Sequence, residues 1–159
     1  MAKNKDEIIE EVEDRGGPRV YELGFHLDPE LPTEEVKKAY QALRASVEEA
    51  GTIVAEGEPL RIPLAYTISR QETSGRRDFD TAYFAWIAYE TSAEQHDTVV
   101  ETAGADKRII RFIDLVTTKD AARHSAELRE LAQKTDAEGA SAEEAADAEL
   151  DAALENAAA

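Results

Sequence analysis

The chain has no cysteine, one methionine and one tryptophan in 159 residues, and only 6% of it is aromatic. Without cysteine there is no disulfide framework and no thiolate metal site. The three histidines, His26, His96 and His124, have no mutual spacing that suggests a metal site and no second ligand type clustered with them. No apolar run approaches the roughly 20 residues of a membrane span. The opening stretch MAKNKDEIIEEVED lacks the apolar segment of a secretory signal. A reducing, cytoplasmic setting is the expectation. Basic residues are scarce as well: 18 Lys and Arg stand against 35 Asp and Glu, for a net charge of −17. The excess is −3 over residues 1–18, −7 over 19–118 and −7 over 119–159. Bulk attraction to nucleic acid is therefore excluded, and DNA is not an expected partner. Contact with an anionic polymer would need a local arginine cluster, a basic partner, or both. The sequence also lacks a nucleophile–base arrangement and a phosphate-cradling glycine loop, and Asp78 and Asp80 sit beside two arginines rather than as an acid pair. No catalysis and no cofactor are expected.

What the chain does have is organised around Leu60–Arg70, LRIPLAYTISR. At period two, Ile62, Leu64, Tyr66 and Ile68 fall on one side of a strand, which is expected to face a core. Arg61, Pro63, Ala65, Thr67 and Ser69 fall on the other side, toward water or a macromolecule. Pro63 has no N–H for a ladder and points to an edge strand or a bulge. A polar loop over Arg70–Phe79 follows, carrying Arg70, Arg76 and Arg77, and then an aromatic strand, Asp80–Glu90.

The remaining elements read from the same two periodicities. Arg19–Leu27 is a strand with Tyr21, Leu23, Phe25 and Leu27 on one side and Val20, Glu22, Gly24 and His26 on the other. Thr33–Ala50 is a helix, with Thr33 as N-cap, Glu34 and Glu35 in the first turn, and Gly51 as the stop. Its apolar stripe is Val36, Ala39, Tyr40, Leu43, Val47 and Ala50. Thr52–Ser69 is extended with a break near Gly57–Pro59. Ser92-Ala93-Glu94-Gln95 is a capping box opening a second helix, whose stripe is Ala93, His96, Val99, Val100 and Ala103, and Gly104 ends it. Lys107–Thr117 is the last strand. The order βαββαβ predicts an α+β, ferredoxin-like sandwich: a four-stranded antiparallel sheet with both helices on one face and the other face open. Around that domain, 19–118, the composition predicts an acidic flexible leader (1–18), a C-terminal helix (119–134) and a mobile tail of Ala, Glu and Asp (135–159).

Four stretches carry a resemblance. YELGFHLDP (Tyr21–Pro29), LRIPLAYTI (Leu60–Ile68), AYFAWIAYE (Ala82–Glu90) and RIIRFIDL (Arg108–Leu115) occur in an order and spacing similar to those of the bacterial small-subunit ribosomal protein S-six family. The resemblance covers roughly residues 19–118. It implies the ferredoxin-like fold, no catalytic activity, and binding to small-subunit ribosomal RNA together with the basic ribosomal protein S-eighteen. The chain departs from the family pattern in having Ile62 at a position that is often basic, Thr67 after the tyrosine, and an 18-residue leader.

With that resemblance, Arg61, Arg70, Arg76 and Arg77 are the first candidates for RNA contact, since guanidinium forks match phosphate oxygens. The bland alternative is a solvated loop balanced by Glu72, Asp78 and Asp80. Lys107, Arg108 and Arg111 at the last strand form a second group, set against ordinary edge-strand charges that discourage aggregation. If Tyr83, Ala85, Ile87 and Tyr89 meet the helices, Phe84 and Trp86 lie on the open face. Two aromatics there suit stacking of single-stranded RNA, but the flanking sequence lacks the basic-Gly-aromatic pattern of an RNA-recognition motif, so with Tyr66 they are the candidate docking residues for S-eighteen, against plain packing on the C-terminal helix. A rival from another class is a ferredoxin-like dimerising or ligand-sensing module without RNA binding. A small-phosphate hydrolase is a more distant one, because Asp28–Pro32 has no arginine to hold a phosphate.

Overall fold

Alternation of apolar and polar residues at period two builds four strands, and they pair as expected. In the computed structural model, which describes residues 17–157, β1 (Arg19–Leu27), β2 (Thr52–Glu72), β3 (Gly75–Thr91) and β4 (Ile109–Thr117) form one antiparallel sheet in the order β2-β3-β1-β4. Helices α1 (Thr33–Ala50) and α2 (Ala93–Ala105) are the two crossovers and cover one face. This is the ferredoxin-like βαββαβ sandwich. The acidic leader expected over 1–18 lies outside the described residues, Gly17 and Pro18 excepted.

The covered face is the core. Tyr21, Leu23, Phe25 and Leu27 of β1 and Ala85, Ile87 and Tyr89 of β3 pack on Val36, Ala39, Tyr40, Leu43 and Val47 of α1 and Val99 and Ala103 of α2. Leu23, Leu27 and Ile87 have no exposed surface. Each such side chain stabilises the fold by about 1.5–3 kcal/mol relative to leaving it in water. One polar network sits among them. The buried His96 ring stacks on Tyr21 at 3.6 Å, and its Nδ1 lies 2.7 Å from the Tyr89 hydroxyl. Burial, then the nearby Asp114 and Tyr21, push the Tyr89 phenol above its ordinary pKa. The phenol therefore stays protonated, and on the far side of the ring Nε2–H donates to the Asp114 carboxylate at 2.8 Å, which ties α2 to β4.

Several expectations are corrected. Thr33 is the first helical residue rather than the cap; Pro32 holds the cap position, and no side chain caps the end. Ser92 does cap α2, accepting from the Gln95 N–H. Helix α2 runs one residue past Gly104, to Ala105. Gly51 is required by close approach: its φ of −173° suits any residue, but a Cβ there would lie 2.1 Å from the Glu90 carbonyl oxygen. The polar loop expected over Arg70–Phe79 is the end of a hairpin. β2 and β3 stay paired to Glu72 and Gly75, where Gly75 takes φ +125°. Polar cross-strand pairs, Thr67 with Asp80 and Ser69 with Asp78, both at 2.6 Å, hold this stretch, so it carries no apolar alternation.

β2 is an edge strand, and its register shifts between Pro63 and Ile68 and between Gly57 and Leu60. The expectation that Ile62, Leu64, Tyr66 and Ile68 face the core fails. No residue of β2 is fully buried, and Tyr66 is 63% exposed. The first half of this edge strand meets α1, where Ile53 packs on the core and Glu56 accepts from Tyr40 and Arg44, but Ile62 pairs with Ala82 on the face away from the helices.

The chain divides into two compact units, with the boundary inside the last helix, α3 (Lys119–Ala157). In the first unit Ala122 is completely buried. In the second, α3 continues well past Lys134, where the sequence pattern ended it. Leu128, Leu131, Leu150 and Leu154 are exposed along it. No described helix is long and apolar enough to cross a membrane.

Candidate nucleic-acid and partner interface

Strand pairing sets the open face as rows that cross the sheet. One row is Leu60, Phe84, His26 and Arg111; the next is Gly57, Trp86, Gly24 and Ile113; a third is Ala55, Ala88, Glu22 and Leu115. Phe84 and Trp86 therefore do lie on the open face, as the alternation of β3 required. They differ in access. Trp86 is flanked in its row by two glycines, and the indole lies so close to Gly57 that a Cβ there would be 2.1 Å from Nε1. Only 4% of Trp86 is exposed. Ala82 and Ala88 on the same face of β3 are buried as well, while Leu60, Ile113, Leu115 and Tyr66 present exposed apolar surface.

Between the first two rows is a cavity of about 310 Å³, walled by Phe84, His26, Tyr66, Arg111 and Ile113 and floored by Gly24. The His26 and Phe84 rings are 5.7 Å apart at a 56° tilt. The Arg111 guanidinium sits 5.4 Å from the Tyr66 ring centroid and donates to its hydroxyl. Burial first, and then the Arg111 charge, lower the pKa of His26 below its ordinary value of 6.5.

The seven cationic candidates do not form one patch. Arg70 and Arg77 are register partners on one side of the hairpin, and Arg76 alternates to the other. Arg61 pairs in register with Tyr83, on the helix side of the sheet. Lys107 and Arg108 occupy the turn before β4, and Arg111 is on the open face.

Four of them are held by carboxylates. Arg77 bonds Asp28 through both amino groups, and also Glu30 and Glu72, with its guanidinium 4.7 Å over the Phe79 ring. Arg70 bonds Glu72 at 2.6 Å and donates to the carbonyls of Lys107 and Ile109, fastening the hairpin to the α2–β4 turn. Hydrogen bonds from Arg70, and then from Arg77, hold the Glu72 carboxyl below its ordinary pKa. Arg76 bonds Asp78 and Ser69. Arg108 makes a two-pronged contact with Asp106; burial alone would raise that carboxyl's pKa, but the Arg108 hydrogen bonds outweigh it. By contrast, Arg61, Lys107 and Arg111 are exposed and form no ion pair among the described residues. Arg61 lies 6.0 Å from the Tyr83 ring centroid.

The sequence reading missed the tie between Arg77 and Asp28, 49 residues apart, which no local pattern announces. It put Gly24 and His26 on the correct side of β1 but named neither of them, nor Ile113, as a site residue. The even positions of β1 held that signal, since they fall opposite the core set.

The description Ribosomal protein S6 matches residues 20–115, more than half of the chain. The chain belongs to that family. A crystal structure of 30S ribosomal protein S6 from Thermotoga maritima is similar over 70% of this chain and 98% of its own, with a TM-score of 0.54. At 17% identity, that likeness speaks to the fold. No curated protein sequence matches the chain. Of the seven cationic candidates in this S6 family member, Arg61, Lys107 and Arg111 are the ones with no acid partner among the described residues.

Proposed function

We propose that this protein is a structural constituent of the small ribosomal subunit in the cytoplasm, binding small-subunit ribosomal RNA together with the basic protein S-eighteen. Membership of the S6 family across the ferredoxin-like domain carries the reading. Residues 19–118 act as the ribosomal domain, with 119–134 and the acidic 135–159 outside it. The open face, where Leu60 and Leu115 are exposed on either side of Phe84 and the buried Trp86, supports a protein docking surface. Tyr66 borders it. Arg61, Lys107 and Arg111 are the cations best placed to meet phosphates. Arg70, Arg76, Arg77 and Arg108 contribute after their carboxylate bonds rearrange, or through the shape of the hairpin they hold. A net charge of −17 opposes RNA binding by the isolated chain, so affinity resides in the joint surface with a positively charged neighbour. Sedimentation through a sucrose gradient at moderate salt tests this. The chain should travel with small subunits. A free pool with no subunit-bound fraction would sink the reading and favour a dimerising or sensing module.

A further inference from the structure

We propose that the cavity between Phe84, His26, Tyr66 and Arg111 seats one unpaired purine base, guanine by preference. This rests on the ribosomal RNA reading above and goes beyond it by assigning a base to a named site.

The walls suit a flat ring. Phe84 and Ile113 offer apolar surface on two adjacent rows, and Gly24, having no side chain, leaves the floor open between them. A Cβ at Gly24 would stand 3.3 Å from Ile113 Cγ2 and 3.5 Å from Phe84, narrowing that floor. Unstacked RNA bases are held in this way on aromatic faces.

The polar edge selects the kind of ring. Arg111 is the one full cation lining the cavity, and it forms no ion pair among the described residues. Tyr66 takes one of its donors, and the rest of the fork needs acceptors. A phenylalanine or leucine side chain from a protein offers none. Guanine offers O6 and N7 side by side, whereas adenine presents an amino donor next to N7. A lysine or arginine from a basic partner would be repelled at this spot. Leu60 and Leu115, on either side, remain available to the protein partner.

Titration of the full chain with guanosine 5′-monophosphate, adenosine 5′-monophosphate and ribose 5-phosphate, followed by NMR, tests the assignment. Guanosine monophosphate should shift the Gly24 amide, the Ile113 methyls and the His26 ring with millimolar affinity, ahead of the adenine nucleotide. Arg111→Met should weaken it roughly tenfold or more. Phe84→Ala should do likewise; if that variant does not fold, Arg111→Met, a change at an exposed residue, still decides. Absence of shifts with either nucleotide overturns the proposal. So do equal shifts from ribose phosphate, which would mark phosphate binding, and exclusive occupation by a peptide of the basic partner. Sedimentation with small subunits is read separately. Retained co-sedimentation alongside a silent titration removes the base site and leaves the ribosomal reading standing.

Discussion

Arg77 on β3 reaches back 49 residues to Asp28, the residue after β1, and bonds both of its carboxylate oxygens at 2.9 and 3.2 Å. Asp28 also accepts from the Glu30 N–H at 2.9 Å and is 7% exposed. One carboxylate thus shapes the β1–α1 turn and anchors the long hairpin at once. Asp28→Ala leaves the turn N–H without its acceptor and Arg77 with Glu30 and Glu72 alone, and should cost roughly 1–3 kcal/mol in urea unfolding. An unchanged denaturation midpoint would show that the hairpin does not depend on this tie.

Gly57→Ala tests the packing of the open face. The new Cβ would meet the Trp86 indole at 2.1 Å from Nε1 and 2.7 Å from Cδ1, so the ring must move. Overpacking of this kind costs typically about 1–3 kcal/mol. Trp86 is the chain's one tryptophan, so its emission reports the site without a label. The expected result is a red shift in the folded state with reduced stability. Emission identical to the parent would mean that the indole is not seated on Gly57.

Much of this could be read from the amino acids alone. β1 and α1 have the predicted bounds because their patterns are clean: strict alternation over Arg19–Leu27 and a single stripe from Val36 to Val47, with Gly51 after it. β2 misled because its apolar positions serve an open face at a sheet edge, where alternation says which residues share a side but not which side is covered. The arginines misled for a different reason. Nearness in sequence suggested a patch, yet alternation splits Arg76 from Arg77, and the partners of Arg77 come from the other end of the domain. Long-range charge pairing leaves no periodic trace.

Acidification should weaken the fold through His26. Its pKa in the folded chain lies below the ordinary 6.5, first from burial and then from Arg111. The unfolded chain therefore binds the proton more readily. The contribution of neutral His26 is fully present above pH 6.5 and is lost as pH falls from there through the folded value. NMR titration of the ring should give a midpoint under 6.5, and Arg111→Met should raise it part of the way back. A parent midpoint at or above 6.5 contradicts the assignment.

Carboxylate pairing predicts which cations matter for RNA. A guanidinium already held by Asp or Glu must give up those hydrogen bonds to meet a phosphate, whereas Arg61, Lys107 and Arg111 have no such bonds to break among the described residues. In the complex with S-eighteen, replacing any of those three by alanine should weaken RNA binding at low salt. Each should also reduce the slope of log affinity against log salt by about 0.9 for a duplex contact, or about 0.7 for a single strand. Arg76→Ala, which frees Asp78 at the exposed end of the hairpin, should leave that slope nearly unchanged. Arg70→Ala and Arg77→Ala should act chiefly on stability, because they unfasten the hairpin from the α2–β4 turn and from Asp28. Affinities measured across a potassium chloride series separate the two groups. If Arg76→Ala flattens the slope while Arg61→Ala, Lys107→Ala and Arg111→Ala do not, the phosphates lie along the hairpin, and the ion pairs there open on binding.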